Sequence, residues 1–147
     1  MPVSNEVSEA AIVAQLRSLV KLSAKDYEPQ LAGALVELSR ALAGQSRYDE
    51  AMHAADEAVD RFEELTENLP GAYRDAYGQA TFNLGQRLRD LGQVDDAHQL
   101  YQDGIEIRRR EHRHDPYGRA QYLGATLRDY SDELLRDDRP AQALAAA

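Results

Sequence analysis

Four histidines, one run of arginines and a surplus of carboxylates are the groups in this chain whose types and spacing could do chemistry. His112 and His114 fall within Glu111-His112-Arg113-His114-Asp115. Imidazoles flanked by carboxylates can ligate zinc or nickel. An i, i+2 spacing sets them on different helix faces, however, which disfavours a shared ion. The run also precedes Pro116, where a helix ends and basic groups suit its free carbonyls. Arg108-Arg109-Arg110, with Arg113, could grip a phosphate or an acidic peptide. The plainer reading is a basic C-terminal helix turn with Glu106 and Glu111 as intrahelical partners. Asp49-Glu50, Asp56-Glu57 and Asp95-Asp96 read as acidic helix starts that suit the dipole. No nucleophile elbow, phosphate-binding loop, Rossmann glycine pattern or His-Glu-x-x-His motif occurs. Cysteine is absent, which removes thiol nucleophiles, disulfides and Cys-based zinc sites. These residues imply no catalytic group, no metal and no cofactor.

What must position any remaining site is therefore the next question. The chain has 147 residues, the size of one domain, 1–147. With 43% hydrophobic and 29% charged residues it has enough apolar material for a packed core. Lys and Arg number 17 against 26 Asp and Glu, for a net charge of −9. That argues against nucleic acid or an anionic membrane as partner, since both need clustered positive charge. Ala10 to Leu22 is the longest mostly apolar stretch, and Gln15, Arg17, Ser18 and Lys21 interrupt it. It is too short and too polar to span a bilayer, and no targeting segment precedes it. A helical, cytoplasmic protein is expected. Only Lys21 and Lys25 are lysines, an arginine bias that suggests a GC-rich bacterial source.

An internal repeat organises the whole chain. Ala51, Ala97 and Ala143 are spaced by 46 residues. The same shift takes Leu38 to Leu84 and Tyr130, Leu42 to Leu88 and Leu134, and Pro70 to Pro116, without a gap. Each period holds two helical patterns. In one, Leu31, Leu35, Leu38 and Leu42 recur every three or four residues; in the other, Ala51, Ala55, Ala58, Phe62 and Leu65 do so. Gly44 and Gly92 sit where a helix C-cap needs positive φ. Pro29, Pro70-Gly71 and Pro116 are expected to stop one helix and seed the next. The pattern predicts helices near 5–25, 29–43, 48–68, 72–91, 94–113 and 117–137, with a stub from 140. Short loops make neighbours antiparallel.

Small residues mark close helix approaches. Ala51, Ala55 and Ala58 line one helix face, while Ser39, Gly85 and Ser131 are 46 apart on the other helix type. Gly85→Leu is expected to overpack by about 1–3 kcal/mol. Tyr48, Tyr77, Tyr101 and Tyr130 fall on core positions of the repeat; Tyr73, Tyr117 and Tyr122 are freer to make surface contacts. His53 and His98 are not related by the 46-residue shift, so no repeated histidine site is expected, and both suit solvated or half-buried faces.

Leu38-Ser39, Ser46-x-Tyr48-x-x-Ala51, Ala55 and Ala58, then Leu84-Gly85, Gly92-x-Val94-x-x-Ala97, Tyr101 and Gly104, resemble the tetratricopeptide repeat. The last unit, Tyr130-Ser131 and Asp138-x-Pro140-x-x-Ala143, is a degenerate match. The standard family period is thirty-four residues. The longer spacing here is similar to the extended variant of kinesin light chains and of many actinobacterial regulators. The resemblance implies an all-α, right-handed superhelix of antiparallel helix pairs, with units near 30–70, 72–115 and 117–147 after a leading helix.

It also implies a concave surface lined by the first helix of each unit, on which polar positions touch a protein or peptide. Those positions are Glu37 and Arg40; Gln79, Asn83, Gln86 and Arg89; Arg128, Asp132 and Arg136. Asn83 stands where the chaperone-type carboxylate clamp carries Asn. Val36, Arg40, Ala125 and Asp129 depart from its Lys, Asn, Lys and Arg, so that clamp is not expected. A non-catalytic interaction module follows. Its rivals are a self-association module and a metal-binding or enzymatic helical protein using Glu111, His112, His114 and Asp115. Asn83, Arg89 and Arg128 are expected to be exposed together. At the N-terminus, Val7, Ile12, Leu16, Leu19 and Val20 are expected to cover the 29–43 helix. At the C-terminus, Leu123, Leu127 and Leu134 lack a long covering helix, which suggests a homodimer or domain swap through 117–147, unless the natural chain continues beyond Ala147.

Overall fold

The computed structural model describes residues 8–114 (for Pro70 and residues 111–114, the backbone alone). These residues form five helices: α1 (Glu9–Leu22), α2 (Ala24–Gly44), α3 (Tyr48–Asn68), α4 (Pro70–Asp90) and α5 (Val94–His114). No strand occurs among the described residues, and the fold is all-α. α4 and α5 each begin 46 residues after α2 and α3. The helix expected at 117–137 and the stub from 140 lie outside the described residues.

Local chemistry sets the helix ends. Ser8 has extended backbone, and its Oγ accepts the Ala11 N–H at 3.1 Å, an ordinary serine N-cap. Ser23 (φ −155°, ψ 94°) breaks the chain between α1 and α2, and its Oγ donates to Asp26 at 2.8 Å. The boundary expected at Pro29 is therefore wrong: α2 starts at Ala24 and Pro29 lies inside it. Proline so near a helix start forfeits only one interior N–H bond. The turn ahead of it also places Glu28 against Arg61 of α3. Pro70, by contrast, opens α4 at its first turn, where its missing N–H costs nothing.

The two turns within the helix pairs share one geometry. Arg47 N–H bonds to Leu42 O and Ser46 N–H to Ala43 O; 46 residues on, Gln93 bonds to Leu88 and Gly92 to Arg89. These are Schellman caps, which need a left-handed residue just past the helix. Gly92 (φ 81°) supplies it in the second turn. In the first turn Ser46 does so (φ 60°), not Gly44, which closes α2 as an ordinary helical residue.

Each helix packs on the next in the chain, and α2 also touches α4. The backbones of α1 and α3 do not approach each other, nor do those of α3 and α5. Hence α2 and α4 form an inner layer and the other three an outer one. Between them lies a cluster of Val13, Leu31, Ala32, Leu35, Val36, Ala54, Ala58, Phe62 and Ala80. Burying each large aliphatic side chain contributes about 1.5–3 kcal/mol. α1 covers α2 with Val13, Leu16 and Val20. Ile12, expected to join them, is 39% exposed, and Val7 lies outside the described residues.

The small residues act as expected. Ala51, Ala55 and Ala58 are fully buried. A Cβ on Gly85 would lie 2.7 Å from the Tyr101 ring. Of the tyrosines expected in the core, Tyr101 is fully buried and Tyr77 half-buried, whereas Tyr48 at the start of α3 is exposed. His53 is exposed, but His98 is buried against Tyr101, one residue along α5 from the fully buried Ala97. Asp56 and Glu57 are not at a helix start either: α3 begins at Tyr48, so they sit in its third turn.

Candidate functional site

Three of the polar residues expected on the concave face meet in one groove between α2 and α4. Glu37, Arg40 and Gln79 stand over an apolar floor of Val36, Phe62, Ala76 and Ala80, around a volume of about 190 Å³. The floor is apolar because Val36 and Ala80 face the layer boundary that Phe62 fills from α3. Arg40 donates to Glu37 at 3.0 Å within one helix turn, and both remain exposed. Gln79 is exposed and accepts a long, weak bond from Arg108 at 3.5 Å. Such a groove offers one anion, one cation and one amide above an apolar strip. That set can hydrogen-bond a polypeptide backbone and its polar side chains.

The other expected residues divide. Gln86 and Arg89 are half-buried on α4. Arg128, Asp132 and Arg136 lie outside the described residues. Asn83 is a correction: it is 1% exposed, and its Nδ2 donates to Ser39 Oγ at 3.3 Å. Ser39 Oγ in turn donates to the Ala51 carbonyl at 2.8 Å, so this chain of bonds ties α4 to α2 and α3. Asn83 is the repeat equivalent of Glu37, yet α4 has α2 beside it and covers the position, while Glu37 stays open. Asn83 therefore contributes to the α2–α4 contact and is no surface contact.

The arginine run also divides. Arg110 pairs with Glu106 within α5 at 3.5 Å, as expected of a solvated helix turn. Arg108 reaches across to Asp75 of α4 at 3.4 Å, and its stem crosses Gly78, where a Cβ would sit 2.8 Å from Arg108 Cγ. The side chains of Glu111, His112 and His114, and all of Asp115, lie outside the described residues. No cluster able to hold a metal ion occurs among the described residues.

Sequence reasoning missed a second feature, on the outer side. Arg17 of α1 grips Glu57 of α3 through both carboxylate oxygens, at 2.7 and 2.8 Å. Arg61 bonds the same carboxylate at 2.9 Å and reaches Glu28 of α2. Four charges on three helices thus form one network. The two guanidinium partners, Arg17 foremost, hold the Glu57 carboxyl down to about 2. Beside the network lies a wider cleft of about 380 Å³ between α1, α2 and α3. Its floor is Leu35, Leu38, Leu42 and Ala54, and its rim carries Asp49, Glu50, His53, Glu57 and Arg17. The signal that bears on it in the sequence is Ser8 followed by Glu9, an N-cap that starts α1 later than the expected residue 5.

Further along α3, burial and then the nearby Asp56 and Glu63 carboxylates push the Asp60 carboxyl up. Tyr77 donates to Glu63 at 2.9 Å; burial, with that bond second, raises its hydroxyl to about 12.

No described helix is long and apolar enough to cross a membrane. A family model of the tetratricopeptide repeat matches two segments, residues 31–67 and 83–116. They cover most of α2 with α3, and the last eight residues of α4 with α5, which supports a tetratricopeptide-repeat assignment. No curated protein matches the chain.

Proposed function

We propose, from the tetratricopeptide-repeat match as premise, that the chain is a non-catalytic module that binds a protein or peptide segment across its inner helix layer. Tetratricopeptide repeats generally mediate protein–protein interaction. The observation that carries the reading here is the groove in which Glu37, Arg40 and Gln79 stand exposed over Val36, Phe62 and Ala80. Its charged pair is satisfied within one turn of α2, an arrangement suited to holding a ligand rather than to activating a nucleophile. The net charge of −9 supports a protein partner over nucleic acid. The 46-residue spacing of α2 to α4 and of α3 to α5 supports the long-period form that resembles the kinesin-light-chain repeats.

The test is affinity capture with the wild-type chain beside the double variant Arg40→Ala, Gln79→Ala. Partners that bind the groove are lost from the variant and kept by the outer-face control Asp56→Ala. Because Arg40 and Gln79 are exposed, the double variant's stability shifts by no more than about 0.5 kcal/mol. Partners retained equally by all three proteins would overturn the assignment.

A further inference from the structure

The turn between α1 and α2 is a single residue, Ser23. Its N–H bonds to the Leu19 carbonyl, as the next residue of α1 would, and its own carbonyl accepts the Tyr27 N–H as α2 begins. Only the Ser23 dihedrals (φ −155°, ψ 94°) therefore separate two helices from one. The break leaves the carbonyls of Val20, Lys21 and Leu22 and the N–H groups of Ala24, Lys25 and Asp26 without helical partners. The Ser23 hydroxyl does not cap α2; it bonds to the Asp26 carboxylate. In a straight helix those three donors meet those three acceptors, residue for residue.

The apolar stripe is already in phase for that change. Val13, Leu16 and Val20 of α1, then Tyr27, Leu31, Ala34 and Leu38 of α2, keep spacings of three or four residues once Ser23 is counted between them. A continuous helix over 9–44 would carry them all on one face. Pro29 already lies inside α2, so straightening meets no new obstacle there. The equivalent turn, 46 residues on, is locked: Pro70 follows Leu69, has no N–H to bond and disfavours helical backbone at Leu69. Ser23 is followed by Ala24 and has no such lock. α1 is also lightly held. Among the described helices its backbone packs on α2 alone, and Val13 is its one buried residue.

We propose that the chain exchanges α1 with a second copy of itself. Ser23 turns helical, α1 swings into line with α2, and it docks on α2 and α3 of the other copy, whose α1 docks in return. The incoming helix is identical to the one displaced, so the Val13, Leu16 and Val20 contacts and the Arg17–Glu57 pair are all remade. The two straight helices run antiparallel with their Ser23 residues at a two-fold axis, an isologous arrangement. Because successive helices are antiparallel, the α1–α2 and α3–α4 turns share one end of the molecule. That end carries Leu22 and Leu69, 83% and 57% exposed, the two most exposed large hydrophobic side chains among the described residues. Exchange brings the two copies together at this end. It leaves the α2–α4 groove intact, so the dimer presents that groove twice and gains avidity for a partner with two binding segments. The exchange does not depend on what the groove binds.

The test is refolding at high and at low concentration, followed by light scattering and by one distance. The chain has no cysteine, so Ala11→Cys with Glu37→Cys accepts two spin labels. A labelled chain refolded among excess unlabelled chain reports only its own pair. With α1 folded back, the labels sit on neighbouring helices within about 20 Å. In a straight helix they are 26 residues apart, or roughly 39 Å. High concentration should yield a dimer with the long distance, and low concentration a monomer with the short one. Ala24→Pro copies the Pro70 turn at the first position of α2, where no N–H bond is lost. It should keep the monomer's melting temperature and abolish both the dimer and the long distance. Three glycines inserted after Ser23 slacken the turn without a proline and should also give a monomer. Ser23→Ala should tighten the dimer about fivefold, since alanine favours the helix interior in both copies. A dimer that keeps the short distance, or that survives Ala24→Pro, would show that the copies meet elsewhere and overturn the exchange. A monomer at every concentration, in wild type and in Ser23→Ala alike, would overturn it as well.

Discussion

The α2–α3 pair and the α4–α5 pair share helix lengths, turn geometry and register, yet they are held together by different means. In the first pair, Ser39 faces Ala51, and the space between the helices is bridged by hydrogen bonds from Asn83 through Ser39 to the Ala51 carbonyl. In the second pair, Gly85 takes the place of Ser39 and Tyr101 that of Ala55. The tyrosine ring lies against the glycine and packs on Phe82 at 4.8 Å between centroids. The pattern recurs two turns along. Ala32 with Phe62 in the first pair becomes Gly78 with Arg108 in the second, and the Arg108 stem fills what the missing methyl leaves. One backbone spacing thus accepts a polar relay or a large-on-glycine contact, because close packing constrains the volume between two helices more than its chemistry.

The largest effect should come from removing the large partner. Tyr101→Ala opens a fully buried cavity in the second pair and should cost about 3–5 kcal/mol by denaturant unfolding. Ser39→Ala removes little volume but strands the Asn83 amide, and should cost about 1–3 kcal/mol. If the two losses were equal, the contrast between cavity and hydrogen-bond relay would fail. Gly85→Ala in the Tyr101→Ala background should be far less harmful than in wild type, since the ring that the new methyl would strike is gone.

The turns sharpen the comparison with a change of sign. Ser46 and Gly92 hold equivalent left-handed positions, which a side chain adopts at a cost. Ser46→Gly should raise stability by up to about 1 kcal/mol, and Gly92→Ala should lower it by about 1 kcal/mol, both read from thermal melts. Loss of stability in both variants would show that the serine side chain contributes more than its backbone strain removes.

The smallest effect concerns the charge network, which the first pair has and the second does not repeat: the position equivalent to Arg61 is the buried Ile107. The folded Glu57 carboxyl sits at about 2, below its ordinary 4.5. Its contribution is therefore in place above about pH 4.5 and is lost as the pH falls toward 2. Because Glu57 is partly exposed, solvent screening keeps this contribution modest. Glu57→Gln should flatten the acid limb of the stability profile across that window and change nothing in the Ser46 and Gly92 effects. An unaltered acid limb would show that the network contributes nothing to folding.

Much of this molecule was written in its periodicities. The leucines of α2, the alanines of α3 and the 46-residue shift specify helix type, pairing and the glycine at the Tyr101 contact, because a helix buries one face and a close approach admits only small residues there. Pro29 misled, since proline near a helix start is tolerated and its residue type alone does not say on which side the turn falls. Ser46 was hidden for a like reason: positive φ belongs to a place in the cap, and Gly44 two residues earlier was the better match by residue type. Asn83 and Glu37 are one position in the repeat, but only the packing of α4 on α2 decides that the first is buried and the second open. The Arg17–Glu57–Arg61–Glu28 network joins residues up to 40 positions apart, which no local pattern encodes. Sequence alone therefore determined the elements and their order, which depend on short-range spacing. Exposure, ion pairing and the two grooves arise where three helices meet, and only the tertiary structure decided them.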